Sequence, residues 1–166
     1  MAETLLTGIR DVLPVQVELP EVEGPDVDIL AEAVTQSSIF DSQLYLFEST
    51  GILISLTFKS PEKSEALLLS VVEPLLNELS ICLQTVKGPQ DVLPILKAHH
   101  IIMALGNVSK GFPEMPSPVP ETYILPPIAV FRRMAQAIIV SLKAMNVFKI
   151  VRDAVCPVLR CFVGSY

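Results

Sequence analysis

The chain has 166 residues, enough for one domain or a portion of a larger protein, and 51% of them are hydrophobic against 18% charged. A charged share below the typical about 25% excludes a largely disordered chain. The apolar excess suits a segment whose ends pack on neighbouring segments, as in repeat proteins. The net charge of −6 is unevenly spread: residues 1–48 carry ten acidic groups against Arg10 alone, whereas residues 126–166 carry six basic groups against Asp153 alone.

The longest apolar runs weighed as membrane spans are 44–58, broken by Glu48, and 134–142, which follows Arg132 and Arg133. Both fall short of the about 20 residues a spanning helix needs. No basic start followed by an apolar run and cleavage site is present. A soluble protein without membrane partners is therefore expected. Cys82, Cys156 and Cys161 form no C-x-x-C pair, so neither a disulfide framework nor a zinc site is indicated. All three are expected as reduced core residues in a cytosolic or nuclear protein.

In chain order, residues 3–15 read as the end of an amphipathic helix stopped near Pro14. Residues 16–37 contain Glu18, Glu21, Glu23, Asp26, Asp28 and Glu32 together with Pro20 and Pro25, which predicts an extended, solvated acidic loop. A helix over 38–58 follows, with Ser38 as its cap and Asp41 in its first turn. Leu44, Phe47, Gly51, Ile54 and Phe58 recur at three- and four-residue steps and share its packed face. Asp41, Glu48, Ser55 and Lys59 share a polar edge, and Gly51 allows a neighbouring helix to approach closely.

A second helix is predicted over 62–86, its polar edge formed by Ser70, Glu73, Asn77, Ser80 and Gln84. Pro74 should kink it. Gly88-Pro89 opens a third helix near 90–111, and the proline-rich stretch 112–127 makes a loop. Helices over 128–146 and 147–163 complete the chain, with Pro94 and Pro157 expected to bend the third and the last.

This order, without strand alternation, is an all-α chain of HEAT-type antiparallel helix pairs forming a short α-solenoid segment. Residues 1–15 are the end of a preceding repeat and 16–37 the acidic loop. Residues 38–86 and 89–146 are two helix pairs, the second holding the 112–127 loop, and 147–166 start the next repeat. A closed helical bundle is the weaker alternative.

Catalytic chemistry finds little support. His99 and His100 are adjacent and lack the i, i+4 spacing of a helical metal pair. Asp41 and Glu48 stand two turns apart, roughly 10 Å along a helix, which suits a solvated edge better than a carboxylate pair. No phosphate loop, nucleophile motif or cofactor motif is present, so no enzyme is expected. The basic end is more informative. Arg132, Gln136 and Lys143 share one helix face with Arg133 beside it, and Lys149, Arg152, Cys156 and Arg160 follow helical steps on the next helix. Such rows neutralise phosphates, or are ordinary solvated helix faces, and the spacing alone allows both. No aromatic residue is interleaved with them, which favours shape-and-phosphate contact with a folded RNA over stacking on single strands.

The stretches FDSQLYLFESTGILIS (40–55), VVEPLLNEL (71–79) and HIIMALGNVSKGF (100–112), with the acidic VQVELPEVEG (15–24), resemble the exportin-T family of tRNA exportins, the last stretch being similar to fungal members. The likeness runs in order over about residues 5–163. It implies a karyopherin-β-type solenoid that loads tRNA together with Ran-GTP in the nucleus and releases it in the cytoplasm, with nuclear pore proteins as further partners. It also implies that this chain is an internal piece of a longer protein, which fits RCFVGSY (160–166) stopping in mid-repeat. In the family the cargo lies on the side lined by the second helix of each repeat, here 62–86 and 128–146. Arg132, Arg133 and Lys143 are then the first candidates for phosphate contact, with Lys149 and Arg152 next. A HEAT scaffold that binds protein partners without nucleic acid is the alternative. Exposed apolar ends would make the isolated chain self-associate.

Overall fold

The computed structural model describes residues 2–21, 24, 27–57, 60–114, 116–121 and 123–165. Among them the regular elements are all helical: α1 (Ala2–Ile9), which runs into a 3-10 turn (Arg10–Val12), α2 (Ile29–Thr35), α3 (Ser38–Ser55), α4 (Pro61–Thr85), α5 (Val92–Lys110), α6 (Ile128–Met145) and α7 (Lys149–Ser165). The expected places of Phe58 on the packed face and Lys59 on the polar edge lie outside the described residues, as do Glu23, Asp26 and the side chain of Cys161.

The helices form two layers. α3, α5 and α7 lie side by side with α5 in the middle, and α4 and α6 lie side by side against them. This is the packing of stacked helix pairs, in which each pair buries its apolar face on its neighbours. α5 shows why the sequence is so apolar. Thirteen of its nineteen residues are buried, because α3, α4 and α7 enclose it on nearly every side. A helix apolar on most sides is buried in a core or spans a membrane, and α5 takes the first course.

Glycines set how closely the helices approach. A Cβ on Gly51 of α3 would lie 2.1 Å from the Val108 carbonyl oxygen of α5, and one on Gly111 would lie 2.3 Å from the Glu48 carbonyl oxygen. Backbone therefore meets backbone where α3 crosses the end of α5. The packed face predicted for α3 is the face observed, with Phe47, Gly51 and Ile54 buried and Leu44 half-buried; of the polar edge Asp41 is exposed, while Glu48 and Ser55 are half-buried. Ser37 rather than Ser38 precedes the helix, and its hydroxyl bonds back to Val34 O at 2.8 Å.

The acidic segment departs from the expected extended loop. Asp28 Oδ1 accepts from the backbone N–H groups of Leu30 (3.1 Å) and Ala31 (3.2 Å), capping α2. α2 then packs across α5 and α7, burying Ala33 and half-burying Leu30 and Val34. The start of the segment is also anchored. The buried Gln43 side chain donates to Val12 O (3.1 Å) and Pro14 O (3.0 Å) and accepts from Gln16 N–H (3.1 Å). Its amide thus satisfies a stretch of backbone that has no helical partners.

Three further expectations need correction. Pro94 is the third residue of α5 and occupies its first turn, where the missing N–H has no intrahelical partner to lose. It gives no reason for a bend. Cys82 is buried as expected, but Cys156 is exposed on α7. Finally, α4 and α5 are long and apolar enough to cross a membrane, which the runs weighed from sequence are not. α5 owes this to its place in the core. α4 keeps Ser70, Glu73, Asn77, Ser80 and Gln84 exposed along one side, the polar edge read from its spacing.

Candidate nucleic-acid interface

α6 is amphipathic. Val130, Phe131, Met134, Ile138, Ser141 and Met145 are buried, and Arg132, Arg133, Gln136 and Lys143 are exposed. Phe131 fixes the rotation of the helix by meeting Phe112 edge-on at 4.9 Å and Phe162 of α7 at 6.1 Å between ring centroids. With Phe131 turned to α7, the next residue, about 100° further round, points away from the core, and the one after turns toward α4. Arg133 accordingly meets Glu73 of α4 at 3.4 Å. Arg132 and Lys143 stand eleven residues apart, about 16 Å along the axis at 1.5 Å per residue. Neither forms an ion pair among the described residues.

α7 begins after a short turn and buries Ile150, Val151, Ala154, Val155 and Val158. Lys149, Arg152 and Arg160 are exposed. Lys149 Nζ lies 2.5 Å from Asp153 Oδ2, one helical turn on, and the Arg152 guanidinium donates back to the Asn146 carbonyl at the end of α6. The Arg152 contact draws the first cations of α7 toward the C-terminal end of α6, where Lys143 stands. The structure thus brings Lys143, Lys149 and Arg152 to the α6–α7 turn and leaves Arg132 at the other end of α6. Arg160 continues the α7 stripe beyond Cys156, and the helical spacing already visible in the sequence is the signal that finds it.

The free face of α4, the other helix of that layer, is chemically different. It exposes Glu62, Glu65 and Glu73 with Lys63 as its cation. Among the described residues, exposed cations are therefore concentrated on α6 and α7.

Other sites carry less. His99 and His100 are both buried in α5, their Nδ1 atoms 3.0 Å apart, with His100 stacked on Phe40 of α3 at 3.7 Å. Burial lowers His99 to about 4, partly offset by Asp153, and lowers His100 to about 3, aided by His99. Both rings are therefore neutral near pH 7. Among the described residues no group of three or more potential ligands gathers as a metal site. A cavity of about 430 Å³ between the α1 end, α3 and α4 is walled by Leu13, Phe47, Leu67, Val71, Pro74 and Leu75. Glu78, the carboxylate on its wall, is engaged by Lys97 at 3.2 Å.

Comparison with known proteins agrees with the architecture. The family model described as Exportin-T matches residues 1–165. The chain is 54% identical over 151 residues to an Exportin-T of Laccaria bicolor, covering 90% of this chain and 14% of that protein. Identity to the Exportin-T of Coprinopsis cinerea is 51% over 156 residues, covering 93% of this chain and 15% of the relative. It is 40% over 153 residues to that of Mycosarcoma maydis, covering 92% and 14%. This chain thus spans about one seventh of the relatives it matches, and nearly all of it aligns. The chain belongs to the Exportin-T family.

Proposed function

We propose that this chain is a segment of a nuclear export receptor that binds tRNA together with Ran-GTP and carries it from nucleus to cytoplasm. The carrying observation is the set of exposed cations on α6 and α7 in a chain of this family. Nuclear pore proteins are the further partners, and the receptor shuttles between the two compartments. Its action is non-covalent. The helix layers hold Arg132, Lys143, Lys149 and Arg152 at fixed spacings, and the cations meet phosphates of a folded RNA with counterion release as the driving term. Arg133 and Lys149 take a lesser part than Arg132 and Lys143, because Glu73 and Asp153 already engage them.

The test is tRNA binding over a salt series, with a single strand of equal length as control. Three full phosphate contacts, from Arg132, Lys143 and Arg152, predict a slope of about −2 to −3 in log K against log salt. The paired substitution Arg132→Glu/Lys143→Glu should flatten it by about two. A scaffold binding only proteins would show weak binding with no preference for folded RNA. Unchanged affinity and slope in the paired variant would remove these residues from the interface.

A further inference from the structure

We propose that Ser60, in the turn between α3 and α4, is a phosphorylation site for a protein kinase that reads a proline after the acceptor and a cation three residues beyond it. The inference stands independently of RNA binding. Ser60 and Ser117 are the serines followed by proline, and both are exposed. Only Ser60 has a cation at the third place after it: the run is Ser60-Pro61-Glu62-Lys63, whereas Ser117 has Pro120 there. Lys63 is also exposed. A proline offers no N–H, so it suits a kinase pocket that asks for no hydrogen bond at that place. The lysine supplies a point charge on a flexible stem, which an acidic or phosphorylated recess can hold.

The turn keeps the acceptor reachable. It joins the two helices of one pair at their ends, whereas stacked pairs meet along helix flanks, so its exposure does not depend on an uncovered flank. Ser60 lies outside the helical region, at φ −130° and ψ 89°, as a following proline favours. Its side chain makes no capping hydrogen bond to α4. Presenting Lys63 in extended form requires the first turn of α4 to open. The Ser64 N–H bond to the Ser60 carbonyl, 3.0 Å long, closes that turn, and Ser64 itself is buried. Opening therefore stops at Ser64, and a terminal turn opens at low cost.

In the transfer, the Ser60 hydroxyl oxygen attacks the γ-phosphorus of ATP. The new O–P bond forms as the bond from that phosphorus to the β–γ bridging oxygen breaks. The hydroxyl proton passes to the catalytic carboxylate of the kinase, and ADP leaves. The phosphate then stands before the first turn of α4, where the helix end favours an anion and Lys63 offsets Glu62.

The test incubates the chain with a purified cyclin-dependent kinase and ATP. Peptide mass spectrometry locates the phosphate, and circular dichroism follows the folding of each variant. A single phosphate on Ser60 is expected, and Ser60→Ala should take none. Lys63→Ala should lower the rate about tenfold, the worth of one charge-assisted contact. Ser117→Ala should leave it unchanged. A folded chain that takes no phosphate on Ser60 overturns the proposal, and so does labelling of Ser117 as fast as Ser60. A Lys63→Ala chain labelled at the wild-type rate overturns the reading of the cation.

Discussion

α5 and α6 are neighbouring helices of nearly equal length with opposite duties. α5 is enclosed and meets α3 and α7 through glycines at Gly106 and across from Gly51. α6 buries one face and turns arginine and lysine outward from the other. A change in α5 is therefore felt as stability, whereas the proposed function has a change on the free face of α6 felt as binding. The strongest way to break the comparison is to force α3 off α5. Gly51→Ala would place a Cβ 2.1 Å from a backbone oxygen that no rotamer change can move. We expect a loss of about 3 kcal/mol, read from the urea midpoint, because backbone must shift to accept the methyl group. A midpoint unchanged from wild type would show that the crossing is looser than described.

Near neutral pH the histidine pair of α5 costs little, and its effect grows as pH falls. In the unfolded chain both rings titrate near 6.5, whereas the folded values are lowered to about 4 for His99 and about 3 for His100. Below pH 6.5 the unfolded state binds more protons than the folded one, so stability falls as pH falls. The loss continues down to pH 4 for His99 and toward pH 3 for His100. Each ring contributes a slope approaching about 1.4 kcal/mol per pH unit inside its window. Asp153 of α7 opposes the shift of His99, and Phe40 of α3 supplies no charge to His100. His100→Phe should flatten the acid limb of a pH–stability curve. An equally steep limb in that variant would place the acid sensitivity elsewhere.

Much of this division is legible in the sequence. The α3 face was set by Phe47, Gly51 and Ile54 at helical steps, and the breaks at Lys59-Ser60-Pro61 and Gly88-Pro89 mark where α4 and α5 begin, within two or three residues. The rows on α6 and α7 follow from the same arithmetic. What the spacing leaves open is tertiary. A helical wheel identifies the face on which Arg133 lies, but its pairing with Glu73, sixty residues away, depends on α4 and α6 being laid side by side. Cys156 sits among apolar neighbours in sequence yet outside the core in space. α2 was hidden by composition, since six acids and two prolines outweigh Leu30, Ala33 and Val34 at steps of three and one. Asp28, counted among the solvated acids, is in fact its cap.

That cap supplies a third test. α2 has no other side-chain cap at its start and is only seven residues long, so its position over α5 and α7 depends on being helical there. Asp28→Ala should cost about 1 kcal/mol, while Asp28→Asn, which retains the acceptor, should cost only a few tenths. Equal losses in both variants would trace the effect to charge and not to capping.

The smallest expected effect separates the two arginines at the start of α6. Arg133 and Glu73 are each about half exposed, so their ion pair is screened and pays for holding two long side chains in one geometry. A double-mutant cycle with Arg133→Gln and Glu73→Gln should return a coupling of about 0.5 kcal/mol or less. Its value lies in binding. Glu73→Gln frees Arg133 without moving α6, so phosphate affinity should rise and the salt slope steepen by up to about one. Arg132→Gln, which removes a cation with no ion-pair partner among the described residues, should flatten the slope by about the same amount. If Glu73→Gln left binding untouched while Arg133→Gln weakened it, Arg133 would already be reaching phosphate from within its pair. The free face of α6 would then extend to the α4 flank.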